Sequence, residues 1–509
     1  MAETGRTVTY RELDERSSQL AWLLDRRGIG RDATVAVVAP NVAEWAEVIW
    51  GANRSGRYVA PVNWHVSPGE MAELLTACQA DVVVTTDAAL PTVRAALPGA
   101  PGVRLGLVLA DGATGDGATV TGATGNGGLP PGFESYQAAL EGQPTSPVGD
   151  ERLGGRVMFS SGTTGQPKVI RHDGPGVHPA QAAPHLGRYT ELFSLDSDTV
   201  YLSPAPTYHT SPFRFVFAVL QLGGTVVCLE RFDPAAALAA IGRYSATHAQ
   251  FVPTMFVRML RLPEQVRREA RLGTLQVAIT GAARCSAELK QQIMEWWGPV
   301  VYELYGASES YGNCAIGPAD ALTHPGSVGQ ALVGTIHITG EDGRELAAGR
   351  QGQVWFEGTR SFSYTGQADL TSQVRNAAGW LSVGDLGWVD EEGFLYLAGR
   401  KSDVIVSGGV NIHPQRAEEV LSLHPAVADV GVIGVPDEEF GESMKAFVLL
   451  SRGYDRDGEL ATELLEYCRA RLPHFQCPSS LGFVDSLPRG ENGKLYKRVL
   501  LESYLGHQR

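Results

Sequence analysis

The chain lacks the features that would tie it to a membrane, a nucleic acid or a thiolate-bound metal. Its longest charge-free apolar stretch, about residues 215–229, is interrupted by Gln221 and two glycines and flanked by Arg214 and Glu230. That falls short of the ~20 residues a membrane span needs. Residues 1–10 are polar and carry no apolar core of a signal peptide, so a cytoplasmic location without a membrane span is expected. There is no basic run, and 42 Lys plus Arg stand against 56 Asp plus Glu, a net charge of −14. Such a surface repels rows of phosphates, and nucleic acid is excluded as a partner. The six cysteines, Cys78, Cys228, Cys285, Cys314, Cys468 and Cys477, include no CxxC pair. Their scatter argues against a thiolate zinc site and fits reduced cytosolic thiols.

What is present describes a globular protein of several lobes. Hydrophobic residues are 43% of the chain and charged ones 19%, which excludes a disordered or fibrous protein. Residues 10–27 read as an amphipathic helix with Leu13, Leu20 and Leu24 on one side. The spacing next predicts a strand at 34–39, a helix at 42–54, a strand at 58–61, a helix at 68–78 and a strand at 81–85. Apolar strands alternating with helices point to parallel α/β layers. Residues 98–132 are rich in Gly, Ala, Thr and Pro and read as a surface loop or insertion. The α/β alternation resumes at Val157 and runs to about Gly306. Gly-rich strands then suggest a β-rich subdomain, and a compact α+β pattern follows Arg400. The expected fold class is α/β. A large N-terminal α/β domain with a β-rich subdomain, residues 1–400, is followed by a small mobile C-terminal α+β domain, residues 401–509.

The sharpest local signal is SSGTTGQPK, residues 160–168, directly after the apolar run 157–159. Gly162 and Gly165 permit positive φ, while Ser160, Ser161, Thr163 and Thr164 with closely spaced backbone N–H groups can wrap phosphate oxygens. Lys168 adds a positive charge. A Walker A loop would need Gly before the Lys and Ser or Thr after it, where Pro167 and Val169 stand.

This string resembles the phosphate loop of the acyl-adenylate-forming enzymes, and the resemblance extends along nearly the whole chain in the right order. The segment 205–210 (APTYHT) is similar to the one that sets an aromatic residue and His209 beside the acyl pocket. Residues 280–284 (TGAAR), with Gly281 and Ala282, resemble the segment between adenine and acyl group. Residues 305–309 (YGASE), with Tyr305, Gly306, Ser308 and Glu309, resemble the family's Tyr-Gly-x-Thr-Glu. Asp385 lies in VGDLG, similar to the ribose-binding segment, and Arg400 in GRKSD, similar to the domain hinge. Gly408 and Gly409 lie in SGGVNIHP, which resembles a thioesterification loop, and Lys494 in PRGENGKL, which resembles the segment bearing the C-terminal catalytic lysine.

The resemblance implies a reaction that needs these residue types. A carboxylate attacks the α-phosphate of ATP, expels pyrophosphate and becomes an acyl-AMP, which a nucleophile then attacks. The first step brings anion onto anion, so positioning and electrostatics dominate. By resemblance Lys168, Glu309, His209 and Lys494 are catalytic, and Glu309 holds Mg²⁺ on the phosphates. Ser308 donates to the α-phosphate, Tyr305 stacks on adenine, and Asp385 accepts from the ribose hydroxyls. ATP, Mg²⁺ and CoA are the implied cofactors, a small-molecule carboxylic acid is the substrate, and the oligomeric state is open, a homodimer being one option. Phe251, Ala282, Ala283 and Tyr311 are expected to line an apolar pocket for a medium-size or aromatic acid, with Arg214 able to meet a second polar group.

Each feature alone has an ordinary reading: an Asp in GDLG forms turns, a Lys near a C-terminus is solvated, an aromatic–His pair packs. Their order and company carry the assignment. Departures from the family pattern are Val169 for Gly, Ser308 for Thr, Pro212 for Gly, Val383 for Thr, and Ser402 for a charged swivel residue. The leading expectation is an AMP-forming acid–thiol ligase with CoA as acceptor, since the chain shows no following carrier domain. Loading of a separate carrier protein and activation of nitrite to diazotise an aryl amine are the alternatives. A nucleotide-binding sensor is opposed by retention of Lys168, Glu309, Asp385 and Lys494.

Overall fold

Short β-branched runs set the first layer. Thr34–Val38 and Tyr58–Val62 are strands buried along their whole length, and Ala80–Thr86 nearly so, as a parallel sheet covered by helices on both faces requires. The computed structural model describes residues 1–110, 129–160, 168–182, 187–358, 362, 364–366, 368–490 and 494–507. Within them these three strands join Leu105–Leu109, Phe133–Ser135, Arg156–Ser160 and Lys168–His172 in one sheet. All neighbours are parallel except the last pair, a hairpin whose closing register is Ser160 opposite Lys168. The helices Tyr10–Arg26 and Pro68–Ala77 start at Thr9 and Ser67, each in a reciprocal capping box with Glu12 and Glu70. Each such cap contributes about 1 kcal/mol.

The sequence reading places residues 98–132 in a loop, and the structure corrects this. Leu105–Leu109 is a fully buried strand pairing with Ala80–Thr86. Gly106 is demanded there, because a Cβ would come within 2.5 Å of the Phe133 ring. The Gly- and Pro-rich surroundings hide five core residues from a composition argument; residues 111–128 lie outside the described residues.

A second sheet orders its strands Gln330–Val333, Asn313–Ile316, Val301–Gly306, Val277–Thr280, His248–Phe251, Val200–Ser203, Thr225–Cys228. From Val301–Gly306 onward its neighbours are parallel. Parallel pairing puts the segments that follow these strands at one sheet edge, where ligands bind in open α/β sheets. Thr335–Thr339, Gly352–Glu357, Asp385–Val389 and Leu395–Arg400 then form an antiparallel sheet, the expected β-rich subdomain.

After Arg400 a further sheet gathers Val410–Ile412, Ile405–Ser407, Gly441–Leu450 and Val427–Asp437, with Ser480–Phe483 alongside. Helices Gln415–Ser422 and Gly458–Arg469 complete this unit. Its two hydrophobic clusters, around Val432 and around Phe447, draw only on residues from Ile405 onward. The remaining clusters draw only on residues up to Leu397. Among the described residues no helix is long and apolar enough to cross a membrane.

Candidate active site

Three segments at the carboxyl edge of the second sheet converge. After Val200–Ser203 the chain reaches His209, which caps the helix Thr210–Leu222 with extended backbone. Pro212 falls in the first turn of that helix, where no intrahelical partner for an N–H is needed, so this departure costs the helix nothing. After Val277–Thr280 come Gly281 and Ala282. A Cβ at Gly281 would sit 2.7 Å from the Leu304 carbonyl oxygen, and Ala282 holds φ +66°. A positive φ in a residue with a Cβ is strained backbone that the surroundings must impose. Val301–Gly306 delivers Tyr305, Gly306, Ser308 and Glu309, with Gly306 packed so closely that a Cβ would meet Asn313 Oδ1 at 2.2 Å.

Hydrogen bonds tie these segments together. The Tyr305 hydroxyl donates to Asp385 Oδ2 at 2.6 Å and lies 3.0 Å from the Tyr311 hydroxyl. Arg400 Nε donates to Asp385 Oδ1 at 3.0 Å, the two residues being directly opposed in the antiparallel pair. Ser308 shares a 2.8 Å hydrogen bond with the Thr210 hydroxyl, and its carbonyl lies 2.9 Å from His172 Nε2. Burial, and then the charge of Arg156, push the His172 pKa down to about 3, so a neutral ring donates through Nε2. Tyr364, from the segment 364–366, donates to Glu309 Oε1 at 2.8 Å, and Lys168 Nζ stands 5.1 Å from the centroid of its ring. Tyr364 is fixed by a bridge to Ile170, two residues after Lys168.

Lys494 enters from the C-terminal unit. Burial and the neighbouring Arg400 lower its pKa to about 8, against Glu309, Asp403 and Asp385, which raise it. Arg400 is half-buried; desolvation is the largest influence on it and lowers its pKa, but Asp385, Tyr311, Asp403 and Tyr305 together outweigh it and its pKa rises. Lys168, Glu309, Asp385, Arg400 and Lys494, which span more than 300 positions of the chain, thus lie together. His209 is half-buried beside Tyr208, its Nε2 is enclosed and makes no hydrogen bond to a described residue, and desolvation lowers its pKa to about 4. It is a neutral imidazole and supplies no charge.

Several expectations change. Ser161, Gly162, Thr163, Thr164 and Gly165 lie outside the described residues, as does the side chain of Ser160. Phe251 does not line a pocket: it packs fully buried against Phe256 and Trp297. Tyr311 belongs with Asp385 rather than with an acyl group, its hydroxyl 3.5 Å from Oδ2. Val169 is a 2% exposed core residue of its strand, which accounts for an apolar side chain at that place. Gly408 and Gly409 form the two-residue turn between Ile405–Ser407 and Val410–Ile412, with φ +55° and +80°. Two positive φ values make a type I′ hairpin turn, which by itself explains the glycine pair. Sequence reasoning missed Tyr364, His172 and Thr210. Only Thr210, next to His209, had a local signal.

Among the described residues no group of three His, Cys, Asp or Glu could hold a metal ion. The single buried carboxylate of Glu309, with one oxygen on Tyr364, suits instead an ion that arrives on a phosphate chain, since Mg²⁺ keeps most of its ligands from water and substrate.

Comparison with known proteins agrees with this geometry. Residues 1–363 match the family model described as AMP-binding enzyme, and residues 416–494 the AMP-binding enzyme C-terminal domain. A feruloyl-CoA synthase of an Amycolatopsis species is 30% identical, with 97% of this chain and 93% of the relative covered. An indoleacetate–CoA ligase of Aromatoleum aromaticum is 28% identical over 97% of this chain and 94% of its own length. The crystal structure of ATP-bound MatB from Rhodopseudomonas palustris superposes with a TM-score of 0.80 at 26% identity, covering 99% of this chain and 94% of that one.

Proposed function

Since this chain belongs to the AMP-binding enzyme family, we propose that it is an AMP-forming acid–thiol ligase that activates a carboxylic acid with ATP and passes the acyl group to CoA. The observation that carries the reading is the convergence of Lys494 and Arg400 on Asp385 and Glu309, across two units with separate cores. Two cations beside carboxylates that can hold ribose and a phosphate-borne ion suit an anion attacking an anion.

In the first step a carboxylate oxygen of the acid forms a bond to the α-phosphorus, and the bond from that phosphorus to the bridging oxygen breaks. Pyrophosphate leaves with the electron pair. Lys494 lies across the two anions, Ser308 donates to the α-phosphate with its hydroxyl oriented by Thr210, and Asp385 accepts from ribose hydroxyls beside the Tyr305 ring. By the sequence resemblance, residues 160–165 and Lys168 would take the β- and γ-phosphates. Glu309, fixed by Tyr364, would hold a magnesium ion carried on the triphosphate, which when bound would neutralise charge there. In the second step the CoA sulfur attacks the acyl carbon, AMP departs with the phosphate oxygen, and the thiol proton passes to solvent. For this, the unit after Arg400 turns about the 401–403 segment, where Lys401 and Ser402 are exposed, and presents the Gly408–Gly409 turn. The division at 400/401 is part of the proposal, as is a cytoplasmic setting, which the six free cysteines suit.

The test is acid-dependent pyrophosphate exchange for the first step and mass-spectrometric detection of an acyl-CoA for the second. Exchange without a CoA thioester from any acid refutes the acceptor and brings the carrier-protein and nitrite alternatives forward. No exchange with any acid refutes the reading as a whole.

A further inference from the structure

Arg214 is the only charged residue of the helix Thr210–Leu222, whose buried positions are Pro212, Phe213, Phe215, Val216, Phe217, Ala218 and Val219. It stands one turn beyond Thr210, about 6 Å along the axis and on the same face. The Thr210 hydroxyl meets Ser308 at 2.8 Å, so this face looks into the acyl side of the cluster. The guanidinium lies 5.8 Å from the centroid of the Tyr189 ring, and its charge reaches His172, whose ring touches the Ser308 carbonyl. Its Nε is enclosed and makes no hydrogen bond to a described residue. Burial raises the pKa of the Tyr189 hydroxyl, so it is neutral and gives Arg214 no counter-charge, and burial works against the ionised form of Arg214.

A guanidinium with its Nε enclosed and no counter-ion among the described residues is costly, and an apolar side chain of similar volume would pack against Tyr189 without that cost. The arrangement makes sense if something that comes and goes pairs with it. A planar fork of donors matches a carboxylate in two-point geometry better than it matches a single carbonyl or hydroxyl. His209, half-buried at the same helix start and neutral, leaves the charge of Arg214 uncompensated, and its enclosed Nε2 is a second polar atom with no partner among the described residues.

Resting on the ligase reading above, we propose that Arg214 is the specificity-determining residue for the acid and receives a second carboxylate. The substrate class is then a dicarboxylic acid, one end reacting near Ser308 and Lys494 and the other held at Arg214.

Pyrophosphate exchange with a series of α,ω-dicarboxylic acids, their monoamides and the monocarboxylic acids of matching length tests this on the full-length enzyme. The wild type is expected to prefer the best diacid over its monoacid by about 10²-fold in kcat/KM, the loss falling mainly in KM, as for a lost charge-assisted pair. In Arg214→Met and Arg214→Gln that preference ratio should collapse towards one, and Arg214→Lys should restore part of it. Because each variant is read as a ratio on the same preparation, partial misfolding does not mimic the result. Exchange with monoacids but with no diacid overturns the inference and leaves the ligase reading standing. Equal turnover of monoamide and diacid also overturns it, by showing a neutral acceptor at Arg214. A ratio unchanged in all three variants does the same. No exchange with any acid removes both readings together.

Discussion

Raising the pH should switch off the first half-reaction through one residue. Lys494 is half-buried near Arg400, and desolvation first, Arg400 second, bring its pKa down to about 8. The charged form bridges the two anions, so activity is present below that value and lost as pH rises through it. With a midpoint of about 8, roughly nine-tenths of the free enzyme carries the charge at pH 7 and about one-tenth at pH 9, a tenfold fall per further pH unit. The phosphates of ATP add negative charge beside the ammonium, so its pKa rises in the complex. The profile of kcat/KM for ATP, which reports the free enzyme, should therefore bend near pH 8, while that of kcat bends at higher pH. Lys494→Ala should lower pyrophosphate exchange about 10²-fold, near 3 kcal/mol, and leave no alkaline limb with that midpoint. Lys494→Arg, charged throughout, should also lose the limb while keeping part of the rate. If the same limb persists in Lys494→Ala, or the wild-type profile is flat to pH 10, the lysine is not the titrating group and the argument fails.

Other residues give equally direct tests. Tyr364→Phe removes the 2.8 Å bond to Glu309 but keeps the ring beneath Lys168; losing a hydrogen bond to a carboxylate should raise the KM for MgATP by about tenfold, whereas an unchanged KM would detach Tyr364 from nucleotide binding. Glu309→Gln should weaken the magnesium dependence of turnover and leave binding of AMP to the Tyr305–Asp385 side intact, and equal loss of both would make Glu309 structural. Arg284→Ala breaks the 2.6 Å ion pair with Glu419 that joins the 280–284 segment to the C-terminal unit; single-turnover adenylation should slow several-fold while CoA transfer from supplied acyl-AMP is spared. Gly409→Asn keeps a residue that tolerates φ +80° yet adds a side chain. Lost CoA transfer at unchanged Tm would favour a thiol path over the turn, and lowered Tm with intact transfer would favour the turn alone.

The architecture was legible where one local pattern decided the element. Buried valine runs marked the first parallel strands to within a residue or two, and the helix predicted from residue 68 starts there, behind the Ser67 cap. Leu105–Leu109 was not legible, because a glycine that lets the Phe133 ring close over the strand looks like a loop former in sequence. In the site, Lys168, Glu309, Asp385, Arg400 and Lys494 could be read from motif order. Tyr364 and His172 act through partners far away in the chain, Glu309 and the Ser308 carbonyl, so no local spacing announces them. The same limit explains the errors. Phe251 and Tyr311 are aromatic residues near the right strands, and only packing decides that one closes a core with Trp297 and the other turns its hydroxyl to Asp385.

The way the two units meet bears on why one site can perform two reactions. Their hydrophobic clusters share no residue, so separating the units breaks no common core. Several of the contacts between them are polar: Arg284 with Glu419, Arg261 with the carbonyls of Val427 and Ala428, Gln351 with His413. Groups of that kind exchange partners with water at a net cost of only about 1 kcal/mol each, unlike buried apolar surface. Asp385 and Arg400 stay together in one antiparallel pair on the N-terminal side, whereas Lys494 belongs to the other unit. A rotation about the 401–403 segment would therefore withdraw the lysine and leave the nucleotide-holding pair in place. The exposed Val406, Val410 and Phe440 around the Gly408–Gly409 turn are apolar surface that such a rotation can cover, offsetting the polar contacts given up. Catalysis of adenylation and its termination would then rest on one movement of one residue.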